Sequence, residues 1–99
     1  MSVIRSNHNL TFDQKKVARA AVKILENVFN TDEFWFDFYQ DRAEIWLSEE
    51  DMKEAETGRS TSVASIYVDK ETGDIILEMD GYGSPEILNV NVDLADVFF

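Results

Sequence analysis

Between Glu33 and Leu47 the chain alternates with period two on either side of a polar break. Phe34, Phe36 and Phe38 interleave with Trp35, Asp37 and Tyr39, and Ala43, Ile45 and Leu47 then interleave with Arg42, Glu44 and Trp46. This pattern predicts a β-hairpin with one apolar and one mixed face. A turn centred on Gln40 and Asp41 sets Tyr39 opposite Arg42, Phe38 opposite Ala43, Asp37 opposite Glu44, Phe36 opposite Ile45, Trp35 opposite Trp46 and Phe34 opposite Leu47. A three-residue loop would mix the faces, because a slip of one residue turns every side chain over. The apolar face belongs in the core. The mixed face collects Trp35, Asp37, Tyr39, Arg42, Glu44 and Trp46. Asp37 against Glu44 is its discordant pair: like charges directly opposed disfavour a hairpin and call for Arg42, another strand's cation or a ligand as compensation.

Upstream, Val17, Ala21, Leu25 and Val28, with Ile24 and Phe29 beside them, recur at steps of three and four. This is the apolar stripe of a helix. Thr11 with Gln14 three residues on is a capping box, so the helix starts at Phe12, and it is expected to run to about Asn30. Residues 1–10 show no periodicity and are expected to be a flexible lead-in to a single domain spanning 11–99. Ser48 with Asp51 repeats the capping signal before a short acidic helix over 49–57, with Gly58 as its C-cap. Thr61 to Val68 and Ile75 to Asp80 read as strands joined by the DKETGD turn, and Leu88, Val90, Val92 and Leu94 alternate as a further strand after a Gly81–Pro85 loop. Val97, Phe98 and Phe99 end the chain on an apolar note, expected to dock on the sheet or on a second subunit.

The predicted order is α-β-β-short α-β-β-β. One long N-terminal helix packs on a mainly antiparallel sheet of about five strands, an α+β fold; an open, curved sheet wrapped on that helix fits, as does a two-layer sandwich.

Charge changes the picture more than composition does. The 99 residues carry a net charge of −11 with 44% apolar residues, the make-up of a folded domain and not of an acidic tail. Up to Leu25, Arg5, Lys15, Lys16, Arg19 and Lys23 stand against Asp13 alone; beyond it, Arg42, Lys53, Arg59 and Lys70 face every remaining carboxylate. The protein is electrically two-sided. There is no cysteine, hence no disulfide or thiolate site, and no apolar run reaches the length of a membrane span. The start of the chain lacks the apolar core of a signal peptide, so a cytoplasmic location is expected.

Chemical signatures are sparse. Asp37 and Glu44, flanked by tryptophans, are the one carboxylate pair a glycosidase-like mechanism would use, yet opposed sheet positions lie only about 5 Å apart at Cβ on a face with little room for a cleft. DKETGD puts Asp74 where a calcium loop needs glycine. His8 stands alone, no serine sits in a nucleophile elbow, and Gly81-Tyr82-Gly83 is not a phosphate loop. No catalytic residue, cofactor or metal is expected. Lys15, Arg19 and Lys23 form a basic helical row, too sparse on an acidic domain to predict direct nucleic-acid contact.

Surface recognition is what these residue types suit. The first expectation is a non-enzymatic inhibitor that occupies a basic protein surface, such as that of a nuclease or nucleic-acid-binding protein. It would work in the style of immunity proteins and of phage anti-defence or anti-CRISPR inhibitors, nucleic-acid mimics among them. This is an analogy of size and charge, not of motif. Its contact residues would be Asp37, Glu44, Glu49, Glu50, Asp51, Glu54 and Glu56, anchored by Trp35 and Trp46, with Tyr39 and Arg42 alongside. The alternatives are a homodimer or other homo-oligomer built on the aromatic face and the tail Val97, Phe98 and Phe99, and a small-ligand binder or enzyme using Asp37 and Glu44.

Overall fold

The computed structural model describes residues 2–81 and 83–98; Met1, Tyr82 and Phe99 lie outside them. The elements are β1 (Val3–Ser6), α1 (Phe12–Leu25), β2 (Glu33–Phe38), β3 (Arg42–Trp46), α2 (Glu49–Ala55), β4 (Ala64–Val68), β5 (Ile75–Met79), β6 (Glu86–Leu88) and α3 (Leu94–Val97). They form a mixed α+β structure with one six-stranded sheet ordered β1-β2-β3-β4-β5-β6. Three features differ from the sequence-based expectation. A strand and not a helix comes first among the described residues, the first helix is only 14 residues long, and the described strands number six where about five were expected.

The added strand is β1, which pairs parallel to β2, with Ile4 beside Phe34 and Ser6 beside Phe36. Its four residues are too few and too polar to show alternation; only the sheet beside them makes them a strand. A parallel pair needs a crossover between its strands, and α1 supplies it. From β2 onward every strand is antiparallel to the next.

Helix α1 begins as expected. The Thr11 hydroxyl accepts from the Gln14 N–H at 3.0 Å, and the Gln14 Oε1 accepts from the Thr11 N–H at 2.9 Å. It ends short of Asn30 because Asn27 ends it: the Asn27 side-chain amide donates to the Lys23 carbonyl, and its own N–H turns back to Ile24 instead. An asparagine that takes over the carbonyl its backbone would use competes with the helix. Val28, expected on the apolar stripe, is therefore exposed. Helix α2 starts after its N-cap Ser48 and closes on Gly58 at φ +75°, with Gly58 N–H bonded to Ala55 and Arg59 N–H to Glu54. That is the Schellman pattern, which needs a left-handed residue.

The sheet curls around α1, which touches β1, β2 and β6, both edges included. Six flat strands would separate their edges by about 24 Å, about twice the width of a helix. One helix therefore reaches both edges only if the sheet is strongly curved. The concave face supplies the core: Phe34, Phe36 and Phe38 of β2, Ala43 and Ile45 of β3, Ala64 and Ile66 of β4, Ile75, Leu77 and Met79 of β5, and Leu88 of β6. Against them lie Val17, Ala18, Ala21, Val22 and Leu25 of α1.

Val90 and Val92, expected within a strand, are not in the sheet but pack on the core as an extended strap leading to α3. Val97 is fully buried there, and the Phe98 ring lies 6.3 Å from that of Phe38. Val97 and Phe98 thus dock on the chain's own core. Val97, expected at a subunit contact, has no surface left to offer one, and Phe98 is half-buried; Phe99 lies outside the described residues.

Candidate partner-binding face

The register of the hairpin is the one its pattern predicts: Trp35 opposite Trp46, Phe36 opposite Ile45, Asp37 opposite Glu44 and Phe38 opposite Ala43. The convex face therefore carries the mixed set, and strand order extends it in rows. Asp37, Glu44, Ser65 and Glu78 line up across β2 to β5, and Arg42, Tyr67, Ile76 and Ile87 line up across β3 to β6. Tyr39 joins the second row, since its N–H donates to the Arg42 carbonyl at 2.6 Å. At the other end Arg5 of β1 sits beside Trp35.

Like-charge opposition is relieved locally. Arg42 pairs with Glu44 at 3.4 Å, two residues along its own strand, and not diagonally with Asp37. Asp37 instead adjoins the Tyr39 phenol. Burial first, then a hydrogen bond to Asp37 and the charges of Asp37 and Glu44, push that phenol up to about 12. The Tyr67 phenol donates to Glu78 at 2.9 Å and is likewise raised, chiefly by that bond. Glu33 accepts from the Trp35 indole N–H at 2.7 Å and pairs with Arg5 at 3.6 Å. The surface is thus an acidic sheet face with aromatic rings fixed between its carboxylates.

The two tryptophans part company. Trp46 is only 2% exposed and lies on β3, the strand that α2 contacts, and the buried residue of α2 is Met52; both lie apart from the main core. Among the described residues, its indole N–H is the one buried side-chain polar group without a hydrogen-bond partner. Trp46 is therefore not available to a partner, whereas Trp35 stays half-exposed. Glu49, Glu50 and Asp51 of α2 and its C-cap Glu56 are exposed, and Glu54 is half-buried. Lys53 pairs with Glu49 at 3.2 Å, a bond one turn apart on the helix. Helix α2 brings its carboxylates to the same convex side as Asp37 and Glu44.

Tyr67, Glu78, Glu33 and Arg5 were not singled out from sequence. Tyr67 and Glu78 each sit on an alternating strand, but which face they share with Asp37 follows only from the strand order. Among the described residues no group of three or more His, Cys, Asp or Glu is placed to hold a metal ion. The DKETGD segment is a hairpin turn, with Gly73 at φ +79° and the Asp69 carboxylate accepting from the Glu71 N–H at 2.9 Å. Among the described residues no helix is long and apolar enough to cross a membrane.

No protein-family model matches this chain, no curated protein matches it, and no solved structure matches it.

Proposed function

We propose that the protein is a non-enzymatic acidic binding protein that covers a basic surface of a protein target. The observation that carries this is the row Asp37, Glu44 and Glu78, the first two half-buried and the third exposed, held on the sheet beside Trp35 and Tyr67 and continued by the carboxylates of α2. Carboxylates fixed on a sheet bind without ordering long flexible side chains first, and their summed field accelerates encounter with a cationic partner. A nuclease or other nucleic-acid-binding protein presents the phosphate-binding surface such a face would occupy, the carboxylates standing in for phosphates.

The test is capture of partners from cells that encode the protein, with the wild type and an Asp37→Asn/Glu44→Gln/Glu78→Gln variant compared at low and high salt. The proposal requires a partner retained at low salt, released at high salt and lost by the variant. A partner insensitive to both changes would overturn it.

A homo-oligomer through the same face is the second reading, resting on half-exposed Trp35 and on Tyr39, which is 39% exposed. Sedimentation separates it from the first, because an aromatic self-contact persists in high salt. For a small-ligand or enzymatic role of Asp37 and Glu44, the same variant would have to lose ligand turnover or binding while remaining monomeric and folded.

A further inference from the structure

We propose a second recognition site, independent of the acidic face: the cleft between β1 and α1 accepts an extended acidic peptide that adds a strand to the open edge of β1. The cleft holds about 860 Å³, and Ile4, Leu10 and Val22 are apolar residues of its lining. Lys15, Arg19 and Lys23, one helical turn apart along α1, line it together with His8 and outnumber the one lining carboxylate, Glu26. These three cations make no ion pair among the described residues.

The backbone of β1 supplies the other half of the site. The Val3 N–H donates to the Asp32 carbonyl at 2.7 Å, so in the parallel ladder Val3 and Arg5 are spent on β2. The alternate residues Ile4 and Ser6 therefore turn their N–H and C=O groups to the open edge, where an added strand would pair. Ser2 and Ile4 also line the cleft, as does Ser6. At Ser2, the outward N–H of the same series already bonds a carboxylate, Glu26 Oε1 at 3.2 Å, and the Ser2 side chain first, then this backbone contact, hold the Glu26 carboxyl below its usual value.

Charge selects the occupant. A second copy pairing β1 to β1 would bring the two Lys15, Arg19 and Lys23 rows together on one side of the joined sheet, and like charges disfavour that arrangement. An acidic strand would instead lay alternate carboxylates under the row while its intervening residues point to the convex side. Four residues of β1 span roughly 13 Å, so a short segment fills the edge.

The experiment titrates the isotopically labelled protein with short peptides alternating Val and Glu, and with counterparts alternating Val and Lys. The expected result is binding of the acidic peptides only, with shifts centred on Ile4, Ser6, Lys15, Arg19 and Lys23 and slowed exchange of the Ile4 and Ser6 amides. A Lys15→Glu/Arg19→Glu/Lys23→Glu variant should weaken acidic peptides by about tenfold or more and take the basic ones instead. Ser6→Pro, which deletes one outward N–H and leaves the cations in place, should also weaken binding. Equal binding of both peptide types, shifts on the convex face, unaltered affinity in both variants, or the same shifts from free glutamate without amide protection would each overturn the proposal.

Discussion

Gln14 Nε2 donates to the main-chain carbonyl of Val97 at 2.9 Å, joining the first turn of α1 to the last turn of the chain across 83 residues. Among the described residues Gln14 is the one buried polar residue, and its Oε1 simultaneously closes the capping box on Thr11. The Thr11 hydroxyl adds a second link, donating to the Asp96 carbonyl at 2.6 Å. Gln14→Leu should therefore cost more than a helix cap alone, roughly 2–4 kcal/mol, because it leaves the Val97 carbonyl and the Thr11 N–H unpaired. Urea unfolding checks this, and Thr11→Ala should be the milder lesion.

Trp46 offers the opposite case. Its buried indole N–H has no partner. Trp46→Phe removes that unpaired donor along with part of the ring, so the two effects offset and stability should change by less than about 1.5 kcal/mol. Trp46→Ala, which leaves a buried space empty, should cost about 3–5 kcal/mol. Denaturation of both variants tests the assignment of Trp46 to structure.

Asp37 and Glu44 face each other directly, and only Glu44 has an arginine beside it. Asp37→Asn should stabilise the hairpin by about 0.2–1 kcal/mol, most at low salt. Glu44→Gln gives up its pairing with Arg42 and should gain less. If the convex face binds a cationic target, both variants lose affinity while remaining at least as stable as the wild type, a separation that folding defects cannot produce.

Alkaline titration should single out Tyr39. Its phenol is pushed up to about 12 in the folded protein from the ordinary value of 10.0, which serves as the unfolded reference. The folded state therefore holds the phenolic proton more tightly, stability is complete below the unfolded value, and it declines as pH rises through that window. Asp37→Asn should bring the midpoint down, and Tyr39→Phe should remove this part of the decline. Phenolate absorbance followed with pH reads both.

Much of this architecture is legible in the chain because local chemistry and tertiary context agree there. The Thr11 and Ser48 caps and the hairpin register are each specified by residues within a few positions of one another. What was not legible depends on distant partners. Residues 3–6 become a strand only because β2 lies beside them, and the Val90–Val92 alternation, which reads as a strand, becomes a strap because it leaves β6 to reach α1. The candidate site divides the same way. Alternation put Trp35, Asp37 and Glu44 on one face, whereas the burial of Trp46 and the arrival of Glu78 opposite Ser65 required knowing what stacks on what.

The strand order also has a kinetic side. From β2 to β6 each strand pairs with its neighbour in sequence, whereas the Gln14–Val97 bond closes nearly the whole chain. Long closures cost entropy before any contact rewards them, so the meander is placed to assemble early and the tail to lock last. Lesions at that lock then shorten the lifetime of the folded protein and leave its folding rate nearly untouched.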